Sequence, residues 1–159
     1  MRFFLALFRY ICYSKIYSMY TFIQKFHSGW AYVALLLLVV AVVNSLIGLS
    51  SKKEFTARDR KIGMFGLIAT HIQLLVGLIL YFVSPKGSAV FGQMKDATLR
   101  LTSLEHPLTN IIAITLITIG WSKHKKAATN EAKFKSIAIF FGLGLLLILS
   151  RIPWSSWLK

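Results

Sequence analysis

Apolar residues gather into four long runs, at residues 30–49, 62–83, 101–121 and 137–152, separated by stretches rich in charge, Gly and Pro. A helix rising about 1.5 Å per residue needs roughly 20 apolar residues to cross the hydrocarbon layer, and the runs match that length. Only Asn44 and Ser45 interrupt the first. The second carries His71 and Gln73, and the fourth carries Gly142 and Gly144. The third is the weakest, because Ser103, Glu105, His106 and Pro107 occupy its first turns. Backbone groups in lipid must be paired internally, so runs this apolar read as helices. They are too long for barrel strands and do not alternate as such strands do.

The connections at residues 50–61 and 122–135 are short, and the one at 84–100 is longer, opening at Pro85. Short links favour antiparallel neighbours, so the expectation is an all-α membrane protein with an up-down four-helix transmembrane bundle. It divides into an N-terminal interfacial segment, 1–29, and a four-helix transmembrane domain, 30–159. The segment is rich in aromatics, with Tyr10, Tyr13, Tyr17, Tyr20, Phe22 and Phe26. Rings with one wet end suit the membrane interface. Its apolar core is too short for a signal peptide.

Composition agrees. Of 159 residues, 56% are hydrophobic and 15% charged, against about 25% charged in ordinary soluble domains. A single cysteine, Cys12, excludes an intrachain disulfide framework. The net charge of +14 invites a nucleic-acid reading. The basic residues, however, sit in loops beside apolar spans, where they orient the chain and attract anionic lipid. The partners expected are the lipid bilayer and subunits of a larger membrane complex, with no nucleic acid. Ten of the 19 Lys and Arg lie in the first and third loops. That bias places those loops in the cytoplasm and both termini outside, in a bacterial inner membrane.

Three of the four histidines, His27, His71 and His106, lie in or beside spans. Ionisable groups at membrane depth are costly and mark functional sites by default. The plainer alternative is an interhelical hydrogen bond. Counted from the cytoplasmic ends, His71 stands about 13 Å up, His106 about 22 Å and His27 about 33 Å. The first and third helices of such a bundle are diagonal, and diagonal histidines can grip a flat macrocycle from both faces. His27 with His106 is therefore the leading pair of iron ligands, and His71 with His106 the alternative. Gly29 and Gly77 are candidates for close approach of a cofactor, and Arg100 for pairing with its carboxylate. Arg151 is open to the same role. Glu105 is a candidate proton acceptor, and Gln73 and Asn110 read first as structural hydrogen-bonding groups. Gly142 and Gly144 read as helix-packing positions, His124 as solvated, and Trp30, Trp154 and Trp157 as interfacial anchors. No Walker loop, HExxH, CxxC or nucleophile elbow is present.

His27-Ser28-Gly29-Trp30, Thr70-His71-Ile72-Gln73 with Gly77, Tyr81-Phe82-Val83-Ser84-Pro85, Leu104-Glu105-His106 and Ile119-Gly120 together form a pattern. It resembles a group of small bacterial four-helix membrane proteins labelled cytochrome b-like, over residues 19 to 153. The relatives' usual start corresponds to Met19. The resemblance implies a haem-bearing bundle with His27, His71 and His106 as candidate ligands. Three membrane histidines allow one bis-histidine haem b, with no catalytic residue required. The expected function is electron transfer, to or from a quinone or a larger respiratory assembly. A haem-free accessory subunit of a membrane complex is the alternative, and a small transporter gated by His71 a third.

Overall fold

A computed structural model describes residues 2–157. The described chain is helical, with no strand. The elements are α1 (Arg2–Ser50), α2 (Ala57–Val83), a 3-10 turn at Ser88–Val90, α3 (Ala97–Arg100), a π-helical turn at Leu101–Glu105, α4 (His106–Lys126), α5 (Asn130–Ser150) and α6 (Trp154–Trp157). Three helical stretches are long and apolar enough to cross a membrane: Tyr17–Ser50, Ala57–Val83 and Asn130–Ser150. The third apolar run falls outside that set; α4 ends in Lys123, His124, Lys125 and Lys126 and has polar residues in its first turns.

The segment 1–29 does not form a separate element. α1 runs unbroken through it, because no Pro or helix-ending turn separates Lys15 from Trp30. The side chains of residues 1–13 lie outside the described residues, including those of Tyr10 and Tyr13. Tyr17, Phe22 and Phe26 are exposed on the helix surface.

α1 packs on α2 and α5, and α4 packs on the same two helices. The four therefore form a ring in which α1 and α4 are diagonal. The buried centre holds Leu38, Ile117, Ile137, Phe134 and Phe141. Lipid tails are as apolar as these residues, so close packing rather than water exclusion has to hold the helices together. Small residues make it possible. A Cβ on Gly144 would lie 2.6 Å from Ile117, and one on Gly66 3.3 Å from Ala41. Phe134 lies directly over Gly48, and Phe140 over Gly120. The expectation for Gly144 is met, whereas Gly142 has nothing near it.

The α1–α2 hairpin is closed by one carboxylate. Lys52 takes the left-handed conformation (φ 49°) just beyond α1, and Lys53 N–H donates to the Gly48 carbonyl, turning the chain back. Thr56 and Asp59 form a reciprocal capping box at the start of α2. The buried Asp59 carboxylate also accepts from Asn44 Nδ2 at 2.9 Å and pairs with Lys53 Nζ at 2.7 Å. One side chain thus ties the end of α1, the loop and the start of α2.

His124 corrects the sequence reading. It is 2% exposed rather than solvated. It packs on Trp121 and Phe55 and donates from Nδ1 to the Trp121 carbonyl at 2.6 Å. Lys123, Lys125 and Lys126 beside it are exposed, while its ring packs on Phe55 of the α1–α2 loop. Burial holds its pKa below the ordinary 6.5; the Trp121 bond opposes this, and Arg60, Lys125 and Lys133 reinforce it.

Two outcomes follow. Asp59→Ala removes the cap and strands Lys53 and Asn44, so it should cost about 2–4 kcal/mol and lower the melting temperature of the detergent-solubilised protein. For His124, the unfolded chain takes up protons first as pH drops below about 6.5, so the folded state loses stability with acidification. The fall in melting temperature from about pH 7 to about pH 5 should be smaller in His124→Gln.

Candidate functional site

A single helical line, α3 through the π turn into α4, brings His106 inward. Pro107 has no N–H, and in a regular helix its ring would meet the carbonyl four residues back, that of Ser103. The chain widens just before it, and His106 N–H donates to the Leu101 carbonyl, five residues back. π turns of this kind frequently accompany functional sites. Thr102 and Ser103 hydroxyls donate to the Leu99 carbonyl, and Thr102 also to that of Thr98, occupying acceptors in the distorted turns.

His106 is then fixed from the end of α5. Its Nδ1 lies 2.8 Å from the Arg151 carbonyl. A carbonyl only accepts and so calls for the proton on Nδ1, while Asn110 Nδ2 stands 3.2 Å from the same nitrogen. Asn110 completes the turn by donating to the backbone carbonyl of His106 at 2.6 Å, within its own helix.

His27 reaches the same place from α1. Its ring fits the notch of Gly77 on α2, where a Cβ would stand 2.9 Å from His27 Cε1. One turn earlier, Gln73 Nε2 donates to the His27 carbonyl at 3.0 Å and stands 3.4 Å from ring Nε2. An amide N–H facing Nε2 requires an acceptor there, so His27 also has its proton on Nδ1 and its lone pair on Nε2. His27 Nδ1 and Gln73 Oε1 are buried without a hydrogen-bond partner among the described residues.

The two imidazoles meet across the diagonal of the bundle. Their ring centroids are 6.4 Å apart and their planes nearly perpendicular, at 83°. With metal–nitrogen bonds of about 2.1 Å, two imidazoles on opposite sides of one ion would have centroids about 6.5 Å apart. His106 Nδ1 lies against a backbone carbonyl, as the second nitrogen of a metal-ligating histidine commonly does. The centroid spacing matches that of two imidazoles on either side of one ion.

Both rings line a cleft of about 260 Å³. Its apolar floor includes Ala34, Leu38, Ile114 and Ile148, and Thr70, Ser84, Thr98 and Thr102 contribute hydroxyls. Drug-sized pockets begin near 300 Å³, so the cleft lies just under that range. Trp157 borders the cleft; it donates to the Ser28 carbonyl at 3.0 Å and stacks on Tyr32. Trp30 bonds the Ala69 carbonyl across to α2. Both indoles read from sequence as interfacial anchors are thus used between elements.

The other sequence candidates lie elsewhere. His71 does not line the cleft. Its Nδ1 bonds the Leu67 carbonyl at 2.8 Å and its Nε2 meets Thr118 Oγ1 on α4 at 3.2 Å, so its ring is an interhelical tie. Among the described residues no three His, Cys, Asp or Glu side chains come together as a metal-holding group. Arg100 pairs with Glu105 at 2.9 Å and donates to the Met94 carbonyl, while Arg151 faces the other Glu105 oxygen at 3.5 Å. Gly29 has nothing within 4 Å. Gly77 serves close approach, of a histidine ring. Sequence reasoning missed Arg151 as a carbonyl partner. The signal for it was Pro153, which ends α5 and leaves a carbonyl unclaimed by the helix.

No protein-family model, curated protein or solved structure matches the chain.

Gly77→Val should push the His27 ring out of its notch. Overpacking of this kind costs about 1–3 kcal/mol, read as a lower melting temperature, whereas Gly29→Val should leave stability within about 0.5 kcal/mol of the native protein.

Proposed function

We propose that the chain is a membrane-embedded b-type haem protein in electron transfer, with one haem held between His27 and His106. The observation that carries this is the diagonal imidazole pair, with ring centroids 6.4 Å apart and both rings lining one cleft. When bound, haem would supply a one-electron couple at its iron. The chain's own residues would do the rest. His27 and His106 would fill the two axial positions, the Arg151 carbonyl would orient and enrich the His106 ring, and Gly77 would give the His27 ring its space. Ala34, Leu38, Ile114 and Ile148 would exclude water, which raises the local effect of every nearby dipole.

The proposal includes four up-down spans. α4 exposes Leu108, Ile111, Ile112 and Ile119 on its surface, which suits lipid as the surrounding solvent. The basic first and third loops favour a cytoplasmic position for those loops in a bacterial inner membrane, with both termini outside. A quinone or a respiratory complex would be the electron partner.

A second reading is a haem-free accessory subunit. The observation favouring it is His71, whose two nitrogens are both engaged inside the helix bundle, together with exposed apolar residues such as Leu36, Leu75 and Leu146, which another subunit could cover.

Reduced-minus-oxidised spectra and pyridine haemochrome quantification of the purified protein separate the two. The haem reading expects Soret and alpha bands at about one haem per chain, lost in His106→Ala and His27→Ala. His71→Leu should keep the bands and cost only about 0.6 kcal/mol of stability. A colourless, folded native protein made with ample haem and carrying partner chains in mild detergent would overturn the haem reading in favour of the subunit.

A further inference from the structure

Any acidic group on the cleft's occupant needs a cation, and the sequence candidates for that role are already engaged. Arg100 and Arg151 both face Glu105, and neither lines the cleft. Lys86 does, and among the lining residues it is the one with a permanent formal charge. It sits in the turn after α2. Its backbone N–H donates to Ser84 Oγ at 3.1 Å, and Gly87 N–H donates to the Ser84 carbonyl at 3.2 Å. Gly87 is buried against the Tyr81 carbonyl, where a Cβ would collide with the backbone of α2. A glycine is required for that approach. The turn therefore folds back onto α2 and does not stand away from the bundle. Lys86 itself is exposed.

We propose that Lys86 binds a carboxylate of the cleft's occupant and so selects an acidic ligand oriented with its acid at the mouth and its apolar body between the helices. This rests on the haem reading, on which the carboxylate is a propionate of the macrocycle. The chemistry is one-sided. The cleft's floor is apolar, an ionised carboxylate is costly to bury unpaired, and the mouth has hydroxyls from Tyr20, Thr98 and Thr102 beside a single cation. An ammonium acts as a point charge that a single carboxylate oxygen satisfies.

The test titrates the full-length protein in detergent with iron protoporphyrin IX and, separately, with its dimethyl ester, which lacks both carboxylates. The native chain is compared with Lys86→Gln and Lys86→Arg. The expected result is a loss of about three- to five-fold in affinity for the diacid in Lys86→Gln, no loss for the diester, and recovery in Lys86→Arg. Equal loss for both ligands would show that Lys86 acts through the fold, and no loss for either would show that it serves lipid phosphate or solvent. Each of those results overturns the inference and leaves the haem reading standing. Failure of the native protein to bind either ligand overturns the haem reading itself, and the inference with it.

Discussion

An imidazole placed between apolar helices has two nitrogens to satisfy, and little water to do it. That requirement organises this protein. His71 meets it in full, with a carbonyl of its own helix on one nitrogen and the Thr118 hydroxyl on the other. His124 meets it on one side with the Trp121 carbonyl while its ring is covered by aromatic neighbours. His106 gives up its Nδ1 proton to Arg151. His27 is the ring left short: its Nδ1 is buried and unpaired, beside an equally unpaired Gln73 oxygen. Unpaired buried polar atoms cost about 1–3 kcal/mol each. Among the described residues they persist in side chains that line the cleft which His106 also lines.

Backbone irregularity supplies the positions that this requires. A regular helix through Pro107 would not aim His106 as the π turn does, and a longer α5 would consume the Arg151 carbonyl. Pro107 and Pro153 thus act together: one bends the helix that bears the histidine, and the other frees the acceptor that orients it. Gly77 and Gly87 act by absence of a side chain, the first admitting a ring and the second admitting backbone. The hairpin at the opposite end is held by Asp59, whose carboxylate gathers Lys53, Asn44 and Thr56, so that α1 and α2 are tied there as well as at His27 and Gln73.

Much of the architecture was legible in the chain. Runs of about 20 apolar residues must become helices when lipid is the solvent, because no other local structure pairs its own backbone groups. The diagonal relation of the first and third runs followed from short connections, and the contacts among α1, α2, α4 and α5 agree. The pairing of His27 with His106 was therefore a readable possibility. Less was readable where identity says nothing of direction. His124 looked solvated amid three lysines, yet side chains on neighbouring positions of a helix point about 100° apart, and one of them can turn inward. Arg100 looked available for a ligand, and Glu105, five positions on, takes it.

By itself, the sequence determined where the long helices run and that three of them are apolar enough to cross a membrane, since apolar run length acts locally and needs no partner. It also determined which residues had chemistry to offer. Only the tertiary structure decided which of them meet. Helix rotation and axial shift are set by how small residues nest against large ones across the bundle, a property of pairs distant in sequence. That nesting puts His27 into the notch of Gly77 and across from His106, turns His71 to Thr118, and leaves Lys86 over the mouth.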